Sequence, residues 1–183
     1  LRDLSTMIRA LNPVTGINPF ELVNCADLGD VGPNPIDLQD SLDRIMAFYA
    51  ELKQRRITPM TAGGDHLVSL PVLRGLASDR PLAMIHFDSH TDLFDSYFGE
   101  FKYAHGTPFR RAIEEGLLDP KHVVQIGIRG TAYNYDDIEW GASQGVRIIR
   151  IEELFDRGIA VVMDEARSIV GDRPTYCSFD IDF

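Results

Sequence analysis

The sequence predicts an α/β protein of three layers, with a mostly parallel sheet covered by helices on both faces. Three observations carry this expectation. Apolar runs of strand length alternate with helical segments along the chain, the order that builds βαβ units. Two of those runs, Leu82–Phe87 (LAMIHF) and residues 123–128 (VVQIGI), are almost continuously apolar, as strands covered on both sides are. Two other segments carry apolar stripes with the 3.6-residue period of an amphipathic helix.

Taken in order, residues 20–26 (FELVNCA) read as the first strand, followed by GDVGPNP, a loop dense in turn formers. Leu38, Leu42, Ile45, Met46, Tyr49 and Leu52 then make one helical stripe, with Asp37 placed to cap its first turn. Residues 57–62 read as a short extended segment and 67–76 as a helix. After the strand Leu82–Phe87 come a helix over 109–117, the strand 123–128 and a further strand over 146–151. Ile159, Val162, Met163, Ala166, Ile169 and Val170 form the second clear stripe, and Thr175–Phe179 (TYCSF) is the sixth strand candidate. No internal repeat, low-complexity tract or linker divides the chain, so one domain is expected.

Composition narrows the function classes. Of 183 residues, 44% are hydrophobic and 25% charged, which suits a soluble globular core. The formal net charge of -10 disfavours a phosphate-backbone partner and suits a metal or a cationic substrate. No nucleic acid and no membrane partner is expected. No apolar run approaches the roughly 20 residues of a bilayer span, and the first ten residues carry Arg2, Asp3 and Arg9 rather than a signal core. A cytoplasmic protein is expected, with Cys25 and Cys177 as buried free thiols.

In open α/β sheets, ligands gather beyond the carboxyl ends of the strands. Three such places are unusual. Asp88-Ser89-His90-Thr91-Asp92 follows LAMIHF and offers three ligands at alternate positions, which extended backbone turns to one side. Asp180-Ile181-Asp182 follows TYCSF with the same alternation. Gly63-Gly64-Asp65-His66 follows the segment 57–62, its glycines permitting a tight turn. Together, Asp88, His90, Asp92, Asp180, Asp182 and His66 offer four carboxylates and two imidazoles. Without thiolates, that set points to hard or borderline divalent ions such as Mn²⁺. Two bridged ions would balance the four negative charges, and without them the carboxylates would repel one another. His86 lies within its apolar strand and reads as a core residue. His122 reads as a surface residue.

The stretches Gly63-Gly64-Asp65-His66, His86-Phe87-Asp88-Ser89-His90-Thr91-Asp92, His105-Gly106-Thr107-Pro108 and Ser178-Phe179-Asp180-Ile181-Asp182 resemble the arginase and agmatinase family of ureohydrolases in order and spacing. The resemblance implies an arginase-like fold, two Mn²⁺ ions per subunit, and hydrolysis of a guanidino compound to urea and an amine by a hydroxide bridging the ions. It implies that His66 and Asp92 bind one manganese, His90 and Asp182 the other, and Asp88 and Asp180 both. Asp92 would also orient the hydroxide, and His105 would be the proton shuttle. HGTPFRRAIEEGLLD and VVQIGIRG look more like the agmatinase branch, which includes guanidinobutyrase and guanidinopropionase. For a guanidino acid, Arg129 or Arg110 would meet the carboxylate, unless they pair with acids such as Glu114; for agmatine, Asp95 or Glu100 would meet the ammonium. The resemblance further implies that residues 1–183 are the central part of a single ureohydrolase domain, with the first strand and C-terminal strands missing, inactive as an isolated piece. A homo-oligomer, trimer or hexamer, is expected on the same ground. The competing readings are a non-catalytic homologue, which would be expected to lose ligands, and a two-metal phosphoesterase, which would want basic residues for phosphate.

Overall fold

A computed structural model describes residues 2–5, 7–130 and 133–183. The chain forms two compact units, Leu1–Asp30 and Val31–Phe183. In the first, α1 (Arg2–Ser5) and α2 (Pro19–Leu22) are single turns, and Arg2 pairs with Asp27 at 2.6 Å and Asp30 at 2.9 Å. The strand expected over 20–26 is absent. Asn18 instead caps α2 by accepting from the Phe20 N–H, its amide donates to Glu21 at 2.8 Å, and Pro19 supplies the fixed φ that opens a helix.

In the second unit, α3 (Leu38–Gln54) follows its apolar stripe, and Asp37 caps it by accepting from the Asp40 N–H at 3.1 Å. Residues 57–62 form no strand. A 3-10 turn, His66–Val68, then leads into α4 (Ser69–Leu76). Next come β1 (Leu82–Phe87), α5 (Pro108–Glu114) and β2 (Leu118–Ile128), which begins earlier than its apolar pattern suggests. The remaining elements are α6 (Asp136–Gln144), β3 (Arg147–Arg150), α7 (Ile151–Arg157), α8 (Ile159–Val170) and β4 (Thr175–Phe179). Four of the six strand candidates are strands. Among the described residues no helix is long and apolar enough to cross a membrane.

The sheet is parallel throughout, in the order β3-β2-β1-β4. One face packs on α3 to α6 through a core that includes Leu70, Leu73, Met84, Leu93, Phe109 and Val123. The other packs on α7 and α8 through Val124, Ile126, Ile149, Val162 and Ala166. This is the expected three-layer α/β/α arrangement. The chain steps from β1 to β2 to β3 and then returns to the far side of β1 as β4. The order therefore reverses between β1 and β4, which is where open sheets bind ligands.

Both cysteines are free but exposed, against the expectation of burial. Cys177 lies on β4, an edge of this sheet, on the side that carries the exposed Thr175 and Phe179; α8 packs over β2 and β1 and does not cover that row.

Candidate metal centre

The two strands at the reversal run in register, pairing His86 with Ser178 and Phe87 with Phe179. The acidic motifs follow directly, so main-chain pairing sets Asp88 and Asp180 side by side. Their backbones are tied to the sheet: the Asp88 N–H donates to the Ile126 carbonyl at 3.1 Å and the Asp180 N–H to the Phe87 carbonyl at 2.9 Å. Gly127 permits the close approach. A Cβ there would stand 2.5 Å from the Phe183 ring and 3.0 Å from the Asp88 carbonyl, at a φ of +99° that favours glycine.

His66 enters from the 3-10 turn, where Asp65 accepts from the Leu67 N–H at 2.9 Å. Its Nδ1 faces three carboxylates, at 2.9 Å from Asp92, 3.1 Å from Asp88 and 3.3 Å from Asp180. Its other ring nitrogen lies 2.8 Å from the Ser178 hydroxyl, the outer support that ligating imidazoles usually have. His90 lies 3.2 Å from Asp182 and 3.4 Å from Asp88, also through Nδ1. Its own N–H donates to Asp88 Oδ1 at 2.7 Å, while the Ser89 N–H donates to Asp182 at 3.1 Å.

Two groups of donor atoms result, each within 4.8 Å: His66, His86, Asp88 and Asp92, and Asp88, His90 and Asp182. Asp88 belongs to both. Asp180 belongs to neither group, but it reaches His66 and accepts from the Asp182 N–H at 3.1 Å. All six sequence candidates thus converge on one crevice. Two imidazoles and four carboxylates, with one carboxylate shared, fit a pair of hard or borderline divalent cations.

Electrostatics give the same picture. Burial works against a charged His66, yet hydrogen bonds to Asp88 and Asp92 and their charges outweigh it and push its pKa up to about 10. Burial likewise opposes ionisation of Asp88, but hydrogen bonds from His66 and His86 hold it far below the usual carboxylate range. Asp92 has a left-handed backbone, with φ +52°, of the kind often found strained at functional positions.

The model of the Arginase family matches residues 1–183. The chain belongs to the arginase family. It is 52% identical to a guanidinopropionase of Pseudomonas aeruginosa over all of its own length and 57% of that protein. It is 43% identical to a mitochondrial agmatinase of Gallus gallus, again over all of its length and 54% of the relative. The solved proclavaminate amidinohydrolase of Streptomyces clavuligerus superposes with a TM-score of 0.85 at 35% identity, covering 99% of this chain and 59% of that one. The chain thus spans a little more than half the length of the relatives it matches.

In this arginase-family chain, the loop from Leu93 onward and α6 frame a cavity of about 690 Å³, lined by Phe94, Asp95, Arg110, Tyr133, Asp137 and Trp140 among others. His105 is exposed and belongs to neither donor group; its ring lies 5.0 Å from that of Tyr97. Gly106 lets Tyr97 approach, since a Cβ there would meet the tyrosine ring at 2.4 Å. Arg110 lies over the Trp140 ring at 4.4 Å and pairs with Glu114 at 3.1 Å and Asp95 at 3.5 Å. Asp95 also accepts from Arg111 at 2.9 Å, so both side chains already have partners within the fold. Arg129 donates to the Gly127 and Asp182 carbonyls and so braces the second acidic motif. His122 pairs with Asp119 at 3.0 Å, away from the centre.

Several supporting residues sit inside the motif stretches but gain their roles only from the fold. Thr91, between two candidate ligands, donates a short hydrogen bond to buried Asp137 of α6. Ser178 supports His66, and fully buried His86 lies 2.8 Å from Asp88. His86 and Asp88 alternate along one strand, so the two-residue period was a signal that both point the same way.

Proposed function

We propose that the full-length protein hydrolyses a guanidino compound to urea and an amine at a binuclear Mn²⁺ centre. His66, Asp88, Asp92 and Asp180 would hold one ion, and His90, Asp182, Asp88 and Asp180 the other. The observation that carries this reading is Asp88, one buried carboxylate common to two sets of donors. When bound, the ions supply the Lewis acidity that makes water a nucleophile near neutral pH. Asp92, fixed by its turn, accepts a hydrogen bond from the attacking water and aims it at the guanidinium carbon. A carbon–oxygen bond forms, the bond to the alkyl nitrogen breaks, and that nitrogen leaves as the amine with a proton supplied through His105 at the mouth.

A guanidino acid is the preferred substrate class over agmatine. The similarity to a guanidinopropionase supports this. A homo-oligomer, trimer or hexamer, is proposed on the family resemblance, and a cytoplasmic setting on the two free thiols.

The test is urea release by the full-length protein with Mn²⁺ from 3-guanidinopropionate, 4-guanidinobutyrate, agmatine and arginine, each with and without chelator. We expect release from a guanidino acid that chelator abolishes. Asp180→Asn should lose metal and activity together, whereas His105→Asn should keep both ions and lose about 10²- to 10⁴-fold in kcat. Full activity with stoichiometric metal in the Asp180 variant would refute the assignment.

A further inference from the structure

One member of the first donor group behaves differently from the others. His86 is fully buried, its Nε2 2.8 Å from Asp88 Oδ2, and its Nδ1 lies 3.1 Å from the side-chain amide nitrogen of Gln125. Gln125, on β2, is also fully buried. The orientation of its amide is fixed from the far side, because the same nitrogen lies 2.5 Å from the Thr91 carbonyl, which can only accept. Rotating the amide would set two oxygens against each other. With the NH₂ group so placed, one hydrogen goes to Thr91 and the other to His86 Nδ1. That nitrogen must therefore accept, and the ring's single hydrogen sits on Nε2, pointing at Asp88. The arrangement leaves Gln125 Oε1 buried with no partner, an arrangement that costs stability and that a purely structural glutamine would have reason to avoid.

We propose that His86 is a positioning residue that donates a hydrogen bond to the shared carboxylate Asp88, with its tautomer set by Gln125 and Thr91, and is not a metal ligand. A ligating Nε2 would need a lone pair there and a hydrogen on Nδ1, where the Gln125 amide already presents one. The relay also spans the motif: Thr91 lies between His90 and Asp92, so Gln125 joins the backbone of the ligand loop to the carboxylate both ions would share. The donated hydrogen fixes the rotation of Asp88 and leaves Oδ1 for the His90 side, where the His90 N–H already holds it at 2.7 Å. His86 packs against Phe109, with ring centroids 4.5 Å apart, so its position is set by the core. This inference rests on the metal-centre reading above.

The test uses the full-length protein and Mn²⁺ as the probe. In metal-free protein labelled with ¹⁵N-histidine, long-range correlation should show His86 with its hydrogen on Nε2, the signal being identified by its loss in His86→Phe; a hydrogen on Nδ1 would overturn the proposal. By calorimetric titration, His86→Phe should still bind two ions, the weaker one tenfold to a hundredfold less tightly. Binding of a single ion would make His86 a ligand, and unchanged affinity would leave it without a role; either result would also overturn it. Gln125→Met keeps His86 in place and provides an arm that does not depend on the folding of the first variant. It should weaken binding in the same direction, populate both tautomers of His86, and lower kcat while leaving KM for the guanidino substrate within twofold. A wild-type protein that bound no Mn²⁺ would overturn both this inference and the metal-centre reading, whereas two ions bound equally well by wild type and both variants would overturn this inference alone.

Discussion

Gly127 stands where the two acidic motifs meet, and its missing side chain is as informative as the ligands. A methyl group there would force Phe183 and the Asp88 carbonyl to shift, in a backbone conformation that alanine disfavours. Gly127→Ala should therefore destabilise the fold by about 1–3 kcal/mol and weaken Mn²⁺ binding as well, read by denaturant unfolding and by metal titration of the same protein. At this scale the sequence was most legible. Asp88, His90, Asp92, Asp180 and Asp182 stood out by alternation after apolar runs, and His66 by the glycine turn that precedes it. The residues that support them did not, because Gln125, Ser178 and Thr91 acquire their roles only through pairing across strands, between positions 34 to 112 residues apart. His86 was judged by its apolar neighbours, when its two-residue offset from Asp88 was the better guide.

Among the elements, the stripes of α3 and α8 and the apolar runs of β1 and β2 declared themselves, since each buries a face whose period survives in the sequence. α6 was missed: DDIEWGASQ has a glycine at its centre, and Gly141 is there because Leu93 would meet a Cβ at 2.6 Å. α7 was hidden by Ile151, which prolongs the apolar run of β3 although it opens the helix. The strand expected over 20–26 failed on local chemistry, as Asn18 and Pro19 form a helix start. Between β3, α7 and α8, Arg147 joins Glu153 and Glu165, and Arg157 reaches both acids at 2.6 Å. The hydrogen bonds from Arg147, opposed by burial, hold both glutamates below their usual 4.5. A depressed carboxylate stabilises the fold above its unfolded value, and that contribution fades as the pH falls through the folded one. Arg147→Met should thus cost about 1 kcal/mol at neutral pH, and the difference from wild type should shrink as the pH is lowered below the glutamates' usual range. Denaturant unfolding in chelator, repeated along a falling pH series, measures it.

For the molecule as a whole, the net charge of -10 has a local meaning, because four of its carboxylates face one crevice. An ion that binds only the folded state stabilises it by mass action, by about 2.7 kcal/mol at a hundred times its Kd. The full-length protein should accordingly melt at a higher temperature with Mn²⁺ than with chelator, and Asp180→Asn should abolish most of that difference in a thermal scan. The parallel pairing of β1 with β4 has one more consequence. Adjacent strands lie about 4.8 Å apart, so the hydrogen-bond ladder acts as a caliper for the carboxylates on its next rung. Its setting depends on main-chain pairing alone. A slip of one residue would swing a whole motif to the opposite face, but changes in the loop from 93 to 100 leave the gap as it was. The loop beyond the strands can drift while the two carboxylates keep the spacing that the ladder gives them.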